Sequence, residues 1–198
     1  MVADILRRSQ NAEGDLYPVG ILDDNESLLG TEILGLPILG RIQCIDQFEH
    51  DAIIACVGDN RERSRIFDWA RRGGRRFVHA IHPSAVIGNG VAIGEGVTIC
   101  AGVIVGTGTT IGDNVILNTG CSVDHHNHIG SHAHIGPGAR LGGTITVRQG
   151  AFVGVGAAVI PGLSIGAWSI VGAGSVVTQD VPPKAMVYGN PAREHGLG

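Results

Sequence analysis

Charge is the first thing this chain has little of. Lys, Arg, Asp and Glu make up 16% of its 198 residues, and they balance to −4. Neither a basic stripe for nucleic acid nor a polybasic membrane anchor can be assembled from that. Apolar runs are short: none approaches the roughly 20 residues of a membrane-crossing helix. No signal-peptide core opens the chain. Cysteine is sparse and unpatterned. Cys44, Cys56, Cys100 and Cys121 show no CxxC spacing and stand among apolar neighbours. They read as reduced, half-buried thiols of a cytoplasmic protein.

Glycine is present in excess: 32 residues, more than twice the roughly 7% of average composition. The reason begins at Ile87. Every sixth residue from there to Val177 is Ile, Leu or Val, sixteen positions without an insertion. A fixed six-residue period indicates a parallel β-helix. Residues 84–181 hold 21 of the glycines; ten stand one position after the aliphatic residue and ten stand three after it. Both columns are expected to be corners, where a positive φ costs glycine little. The position four after the aliphatic is small or apolar, as in Val97, Thr109, Cys121, Ala133 and Ser175, which suits a narrow interior.

The first eighty residues have another texture. "YPVGILDD" and "AIIACVG" read as buried strands, "VADILRRSQ" and "NRERSRIFDWARRG" as helices, and "RRFVHAIHP" as a last strand leading into the repeats. Strands alternating with helices predict a small parallel α/β domain. Asp23 and Asp24 close the strand "VGILDD", at the carboxyl end where open α/β sheets bind ligands. Five of the nine histidines crowd into "DHHNHIGSHAH": His125, His126, His128, His132 and His134. The six-residue period puts His126 and His132 at glycine-type corners, and His128 and His134 on outward strand positions.

The repeats, the tail "VPPKAMVYGNPAR" and the stretches "GILDDN", "LGLPILG", "AIIACVGDNRERSRI" and "HPSAVIGNGVAIGEG" resemble the hexapeptide-repeat sialic-acid O-acetyltransferase and bacterial amino-sugar N-acetyltransferase family. The resemblance implies a left-handed parallel β-helix with eighteen residues per triangular coil, packed as a homotrimer. The expected organisation is a small Rossmann-like α/β domain over 1–80, the β-helix over 81–181 and a C-terminal tail over 182–198. Relatives place a strand and a glycine-rich turn before the "VADIL" helix; here the sequence opens inside that helix, so the N-terminal domain is expected to be truncated at its first strand. The implied activity is acetyl transfer from acetyl-CoA, as co-substrate and with no metal, to an amino sugar that is nucleotide-linked, in surface-glycan synthesis.

Site residues follow from the same resemblance. His125 matches the general base, which takes a proton from the acceptor. Many relatives carry an acid directly after it; here His126 stands there and Asp124 precedes, so the catalytic group is read as His125 with His126 and Asp124. His134, Gly143, Val155 and Ala173 match acetyl-CoA contacts, and Asp23, Asp24 and Gly58 match substrate contacts. Gly143, alone among the 21, is out of phase and lies one coil beyond His125, where its N–H could meet an oxyanion. His125 and His134 lie nine residues apart, half a coil, so they meet only across a subunit interface. O-acetylation of a sialic-acid-like sugar uses the same base. Gamma-class carbonic anhydrases, with the same β-helix, bind zinc through three histidines across a trimer interface, and a scaffold with solvated corner histidines is the inactive alternative.

Overall fold

From Val86 onward, two-residue strands alternate with four-residue turns as far as Val176–Val177. The computed structural model describes residues 1–8, 10–11 and 14–195. Strands pair in parallel with those eighteen residues on: Ile104 with Ser122, Thr110 with His128, Ile116 with His134. Three parallel sheets result, the faces of a prism whose coils rise about 4.8 Å each. The first face carries strands from Val86–Ile87 to Val176–Val177. The second runs from Ala92–Ile93 to Ser164–Ile165, and the third from Ala80–Ile81 to Ile170–Val171. A hairpin, Met186–Gly189 with Ala192–His195, extends the third face; positions 196–198 of the expected tail lie outside the described residues.

The six-residue period works because it returns one side chain per turn to the axis. From Ile99 to Val177 the aliphatic residues are at most 4% exposed, whereas Ile87, in the first coil, is 37% exposed. Each buried aliphatic side chain contributes about 1.5–3 kcal/mol, so this column, rather than the short strands, stabilises the prism. The position four later fills the same interior, and Cys121, Ala133, Ala139 and Ser175 are all 0% exposed.

The two glycine columns separate in the structure. Third-position glycines are the true corners, as at Gly120 with φ 65°. First-position glycines have no positive φ; they permit close approach, since a Cβ on Gly106 would lie 2.6 Å from His125 N in the next coil. Five of the six third positions that are not glycine keep the positive φ: Asn114, His126, His132, Thr144 and Trp168, but not Asp180. None lies on the edge between the third and first faces, whose corners Gly102, Gly120, Gly138, Gly156 and Gly174 are all glycine.

The N-terminal segment is α/β but not the parallel sheet expected. Helix α1 spans Val2–Arg8; Gln10–Asn11 already pairs antiparallel with Gly14–Asp15, and Ser9 lies outside the described residues. Leu36–Gly40 pairs parallel with Ile21–Leu22 and antiparallel with Glu32–Ile33, a mixed sheet. "AIIACVG" makes a single bridge, Ile53 with Phe77, and its last carbonyls, Val57 and Gly58, accept from Arg63 Nη1. Helix α2, Asn60–Arg72, is capped by the Asp59 carboxylate, which accepts from Glu62 N–H, and Gly73 is its C-cap. Its inner face buries Phe67 and Ala70, with Phe67 stacked on Phe77. Among the described residues no helix is long and apolar enough to cross a membrane.

Candidate active site

The edge between the first and second faces carries His125, His126, Gly143 and Thr144. His125 and His126 are both exposed, and their Nδ1 atoms lie 3.1 Å apart with the rings edge-on at 5.3 Å. One Nδ1 of such a pair must donate and the other accept. The His125 ring rests on Gly143, where a Cβ would come 2.5 Å from Cε1 and 2.7 Å from Nε2. The His126 ring rests on Gly108 of the preceding coil, with the same relation at 2.9 Å to Cδ2. Two glycines, one coil to either side, therefore make room for the two imidazoles.

Asp124 does not reach the His125 ring. Its Oδ1 accepts the backbone N–H of His125 at 2.8 Å, so it shapes the turn and His126 is the neighbour of the imidazole. Adjacent residues diverge along an extended strand; His126 escapes this by its left-handed φ of 55°, which swings its ring back beside that of His125.

Two further residues hold this edge and escaped the reading of the sequence. Asn127 is 1% exposed. Its Nδ2 donates to the carbonyls of Asp124 and Gly142 at 2.6 and 2.9 Å, and its Oδ1 accepts from Ile145 N–H at 2.6 Å. It ties the loop before His125 to the loop before Gly143. The signal was present: Asn127 is the one amide among the interior fourth positions. Thr144 N–H donates to His125 O at 2.9 Å, and its hydroxyl donates to Gly143 O at 2.7 Å. Threonine is rare at the positive φ Thr144 adopts; its signal was a β-branched residue at a glycine corner. Among the described residues the Gly143 N–H has no hydrogen-bond acceptor.

His134 lies on the third face and is half-buried rather than open. Thr119 N–H donates to Asn118 Oδ1 at 2.8 Å, which orients the Asn118 Nδ2 toward His134 Nε2 at 3.1 Å. Nε2 therefore accepts and the proton resides on Nδ1, which is buried and has no hydrogen-bond partner among the described residues. Burial first, then the Arg63 charge, pushes His134 down to about 4; the Gly58 backbone opposes this but falls short of a full hydrogen bond. The ring is neutral, edge-on to Phe152 at 5.1 Å.

The remaining histidines disperse. His128 Nδ1 meets Thr110 Oγ1 on the second face at 2.6 Å. His132 is 4% exposed, accepts from Asn114 Nδ2 at 2.9 Å, and is pushed below the usual histidine range mainly by burial. Among the described residues no three His, Cys, Asp or Glu side chains gather as metal ligands.

Two of the three expected substrate residues line separate cavities. Asp24 lines one of about 160 Å³ with Gln43, Arg65 and Trp69; its carboxylate accepts from Ile42 N–H at 3.0 Å. Asp23 accepts from Asn25 N–H at 2.8 Å. Gly58 lines the other, about 270 Å³, between the start of α2 and the third face, with Asn60, Arg61, Phe152, Trp168 and Ile170. Trp168 packs onto Gly150, and Arg61 lies over its ring at 4.9 Å. Val155 and Ala173 are exposed on the all-glycine edge.

Solved structures match this chain along almost its whole length. The chain is 39% identical to PerB from Caulobacter crescentus, solved in complex with CoA and GDP-perosamine; the match covers 98% of this chain and 91% of that one, at a TM-score of 0.87. It is 30% identical to the acetyltransferase domain of PglB from Neisseria gonorrhoeae in complex with acetyl coenzyme A, over 98% and 92%, at 0.90. WeeI from Acinetobacter baumannii is 30% identical over 89% and 85%, at 0.82. A 54-residue segment, 27% of this chain, is 48% identical to the dTDP-3-amino-3,6-dideoxy-alpha-D-galactopyranose 3-N-acetyltransferase of Aneurinibacillus thermoaerophilus, and spans 28% of that curated relative's length. No family model matches the chain.

Proposed function

This chain belongs to the sugar N-acetyltransferases, and we propose on that footing that it moves the acetyl group of acetyl-CoA to the amine of a nucleotide-linked amino sugar. The observation that carries the reading is the His125–His126 pair, with the leading imidazole resting on the bare backbone of Gly143. With the shared proton on His125 Nδ1, its Nε2 offers a lone pair to the acceptor. The amine nitrogen attacks the thioester carbonyl carbon, the C–N bond forms and the C–S bond breaks. The proton leaving nitrogen passes to His125 Nε2 and from there to the departing CoA thiolate. His126 accepts the Nδ1–H and favours the imidazolium, the task a carboxylate performs in a Ser-His-Asp triad. The unpartnered Gly143 N–H faces the carbonyl oxygen as it gains charge. Asp124 acts only on the backbone.

Acetyl-CoA lies along the all-glycine edge past Val155 and Ala173, where Gly120, Gly138, Gly156 and Gly174 have open space beside them. The acceptor enters the cavity beside Gly58 and Trp168, with Asp23 and Asp24 farther along the N-terminal domain. His125 and His134 stand on different sides of the prism, so the working unit is a homotrimer in which His134 of one copy faces His125 of the next. The coil is left-handed and runs over 81–181, after a small α/β domain over 1–80 and before a tail over 182–198. The setting is cytoplasmic, in the synthesis of a surface glycan.

The test is thiol release from acetyl-CoA with a panel of nucleotide-linked amino sugars and a hydroxyl-bearing control, on metal-stripped protein. Turnover with an amino sugar, lost by roughly 10²–10⁴-fold in His125→Ala, is expected. Turnover with the hydroxyl acceptor alone would replace the amine in this reading. Carbon dioxide hydration restored by zinc, without acetyl transfer, would overturn it.

A further inference from the structure

Arg63 is 0% exposed, and no carboxylate pairs with it among the described residues. Its hydrogen bonds all go to backbone carbonyls. Nε donates to Asn114 O at 3.3 Å and Nη2 to His132 O at 2.8 Å. Nη1 donates to Val57 O at 3.1 Å and to Gly58 O at 3.4 Å. Asn114 reciprocates, its Nδ2 donating to Arg63 O at 3.3 Å. The accepting corners, residues 114 and 132, lie eighteen residues apart on the edge between the second and third faces, and Asn60 Nδ2 takes the next one, Gly150 O, at 3.2 Å. The left-handed corners leave these carbonyls outside the coil-to-coil ladder, and α2 reads three of them in succession.

A buried guanidinium is a costly way to dock a helix, because desolvation opposes the charge. Burial does push Arg63 down, to about 10, which still leaves it protonated. An apolar side chain could pack α2 against the prism, but it would leave these carbonyls without a donor. What only the planar, five-donor fork supplies is several carbonyls held at fixed mutual positions. Two of them border one histidine: His132 precedes His134 by two residues, and the Gly58 backbone lies near enough to act on the His134 ring without completing a hydrogen bond to its buried Nδ1.

We propose that Arg63 is a positioning residue for His134, buckling the Gly58 loop to the strand that carries this histidine so that its ring is held in one tautomer between Asn118 and Gly58. The proposal rests on His134 being an acetyl-CoA contact, as read above. It gives the N-terminal domain a part in the transfer site besides holding the acceptor: the loop that lines the cavity also sets the imidazole.

The experiment compares the full-length protein with Arg63→Gln, Arg63→Lys and, as a docking control, Phe67→Leu. The control loosens the same buried face of α2 without removing a hydrogen bond of Arg63. Imidazole ¹⁵N spectra of histidine-labelled protein, assigned with His134→Asn, are read beside KM for acetyl-CoA and Tm. In Arg63→Gln the His134 ring is expected to leave its single Nδ1–H tautomer while KM for acetyl-CoA rises about tenfold or more. Arg63→Lys keeps the charge but cannot span the carbonyls, so it falls between, and it carries the test if Arg63→Gln does not fold. Phe67→Leu is expected to lower Tm with both readouts near wild type. If Phe67→Leu moves both as far as Arg63→Gln at equal Tm, or if Arg63→Gln moves neither, the proposal is overturned. A ring that shifts with no change in KM supports the positioning and removes acetyl-CoA binding from His134 instead.

Discussion

The imidazole of His125 occupies the space that a side chain at residue 143 would need: a Cβ there would stand 2.5 Å from Cε1 and 3.1 Å from Nδ1. The two residues belong to successive coils, and Gly143 does not adopt a positive φ. Its lack of a side chain is therefore a matter of room. Gly143→Ala is expected to keep Tm within a few degrees, since alanine suits the backbone and the exposed ring can swing away. The swing breaks the geometry with His126, and kcat should drop by about 10²-fold. Steady-state kinetics beside a melting curve decides it; normal kcat would mean that the ring position is immaterial.

Asn127 joins the loops that carry both partners. Asn127→Ala leaves Ile145 N–H and the Asp124 and Gly142 carbonyls without it. Asp124 O keeps the Thr109 hydroxyl as a donor, whereas Ile145 N–H and Gly142 O are orphaned, at about 1–3 kcal/mol each. Denaturant unfolding should show a loss of several kcal/mol, and the surviving folded fraction should turn over more slowly because both loops relax. A loss below about 1 kcal/mol would show that the ladder needs no internal amide.

Acid should weaken the fold through His134. Its folded value of about 4 lies below the ordinary 6.5, so between those values the unfolded chain binds a proton that the folded chain refuses. Stability then rises with pH across this window and is lost as pH falls from about 6.5 toward 4, by at most about 3 kcal/mol. His132, depressed in the same direction, adds to the slope. Melting curves between pH 7 and 4.5 should show a shallower fall for His134→Gln than for wild type; parallel curves would contradict the buried neutral ring.

Trp168 is the bulkiest residue at a left-handed corner, with φ 58°, a conformation that costs roughly 1–2 kcal/mol outside glycine. Trp168→Gly restores the commonest corner residue, so the fold should survive with Tm changed by only a few degrees. The cavity beside Gly58 loses its aromatic wall and the support of Arg61. KM for the nucleotide-linked acceptor should rise several-fold while KM for acetyl-CoA stays put; an equal rise in both would place the cavity outside the acceptor path.

Much of this molecule is decided by local spacing. The aliphatic residue every sixth position dictates short parallel strands, a narrow interior and the corners. Its cause lies in each turn separately: the same residue must return to the axis, and the next coil repeats the demand. That is why the strand pairs fall where the period puts them, and why Gly143 could be singled out as out of phase. Tertiary structure decided what the period cannot express. Whether Asp124 or His126 lies beside the His125 ring depended on the φ of one corner residue, which the sequence hides because histidine tolerates both hands. That Asn127 pins two loops, and that Arg63 reads carbonyls eighteen residues apart, depended on contacts between coils and between domains. Asp24 and Gly58, joined by resemblance, were separated into two cavities by the path of the chain between them. Position along the coil follows from the period; the reach and rotamer of a side chain follow from its neighbours one coil away.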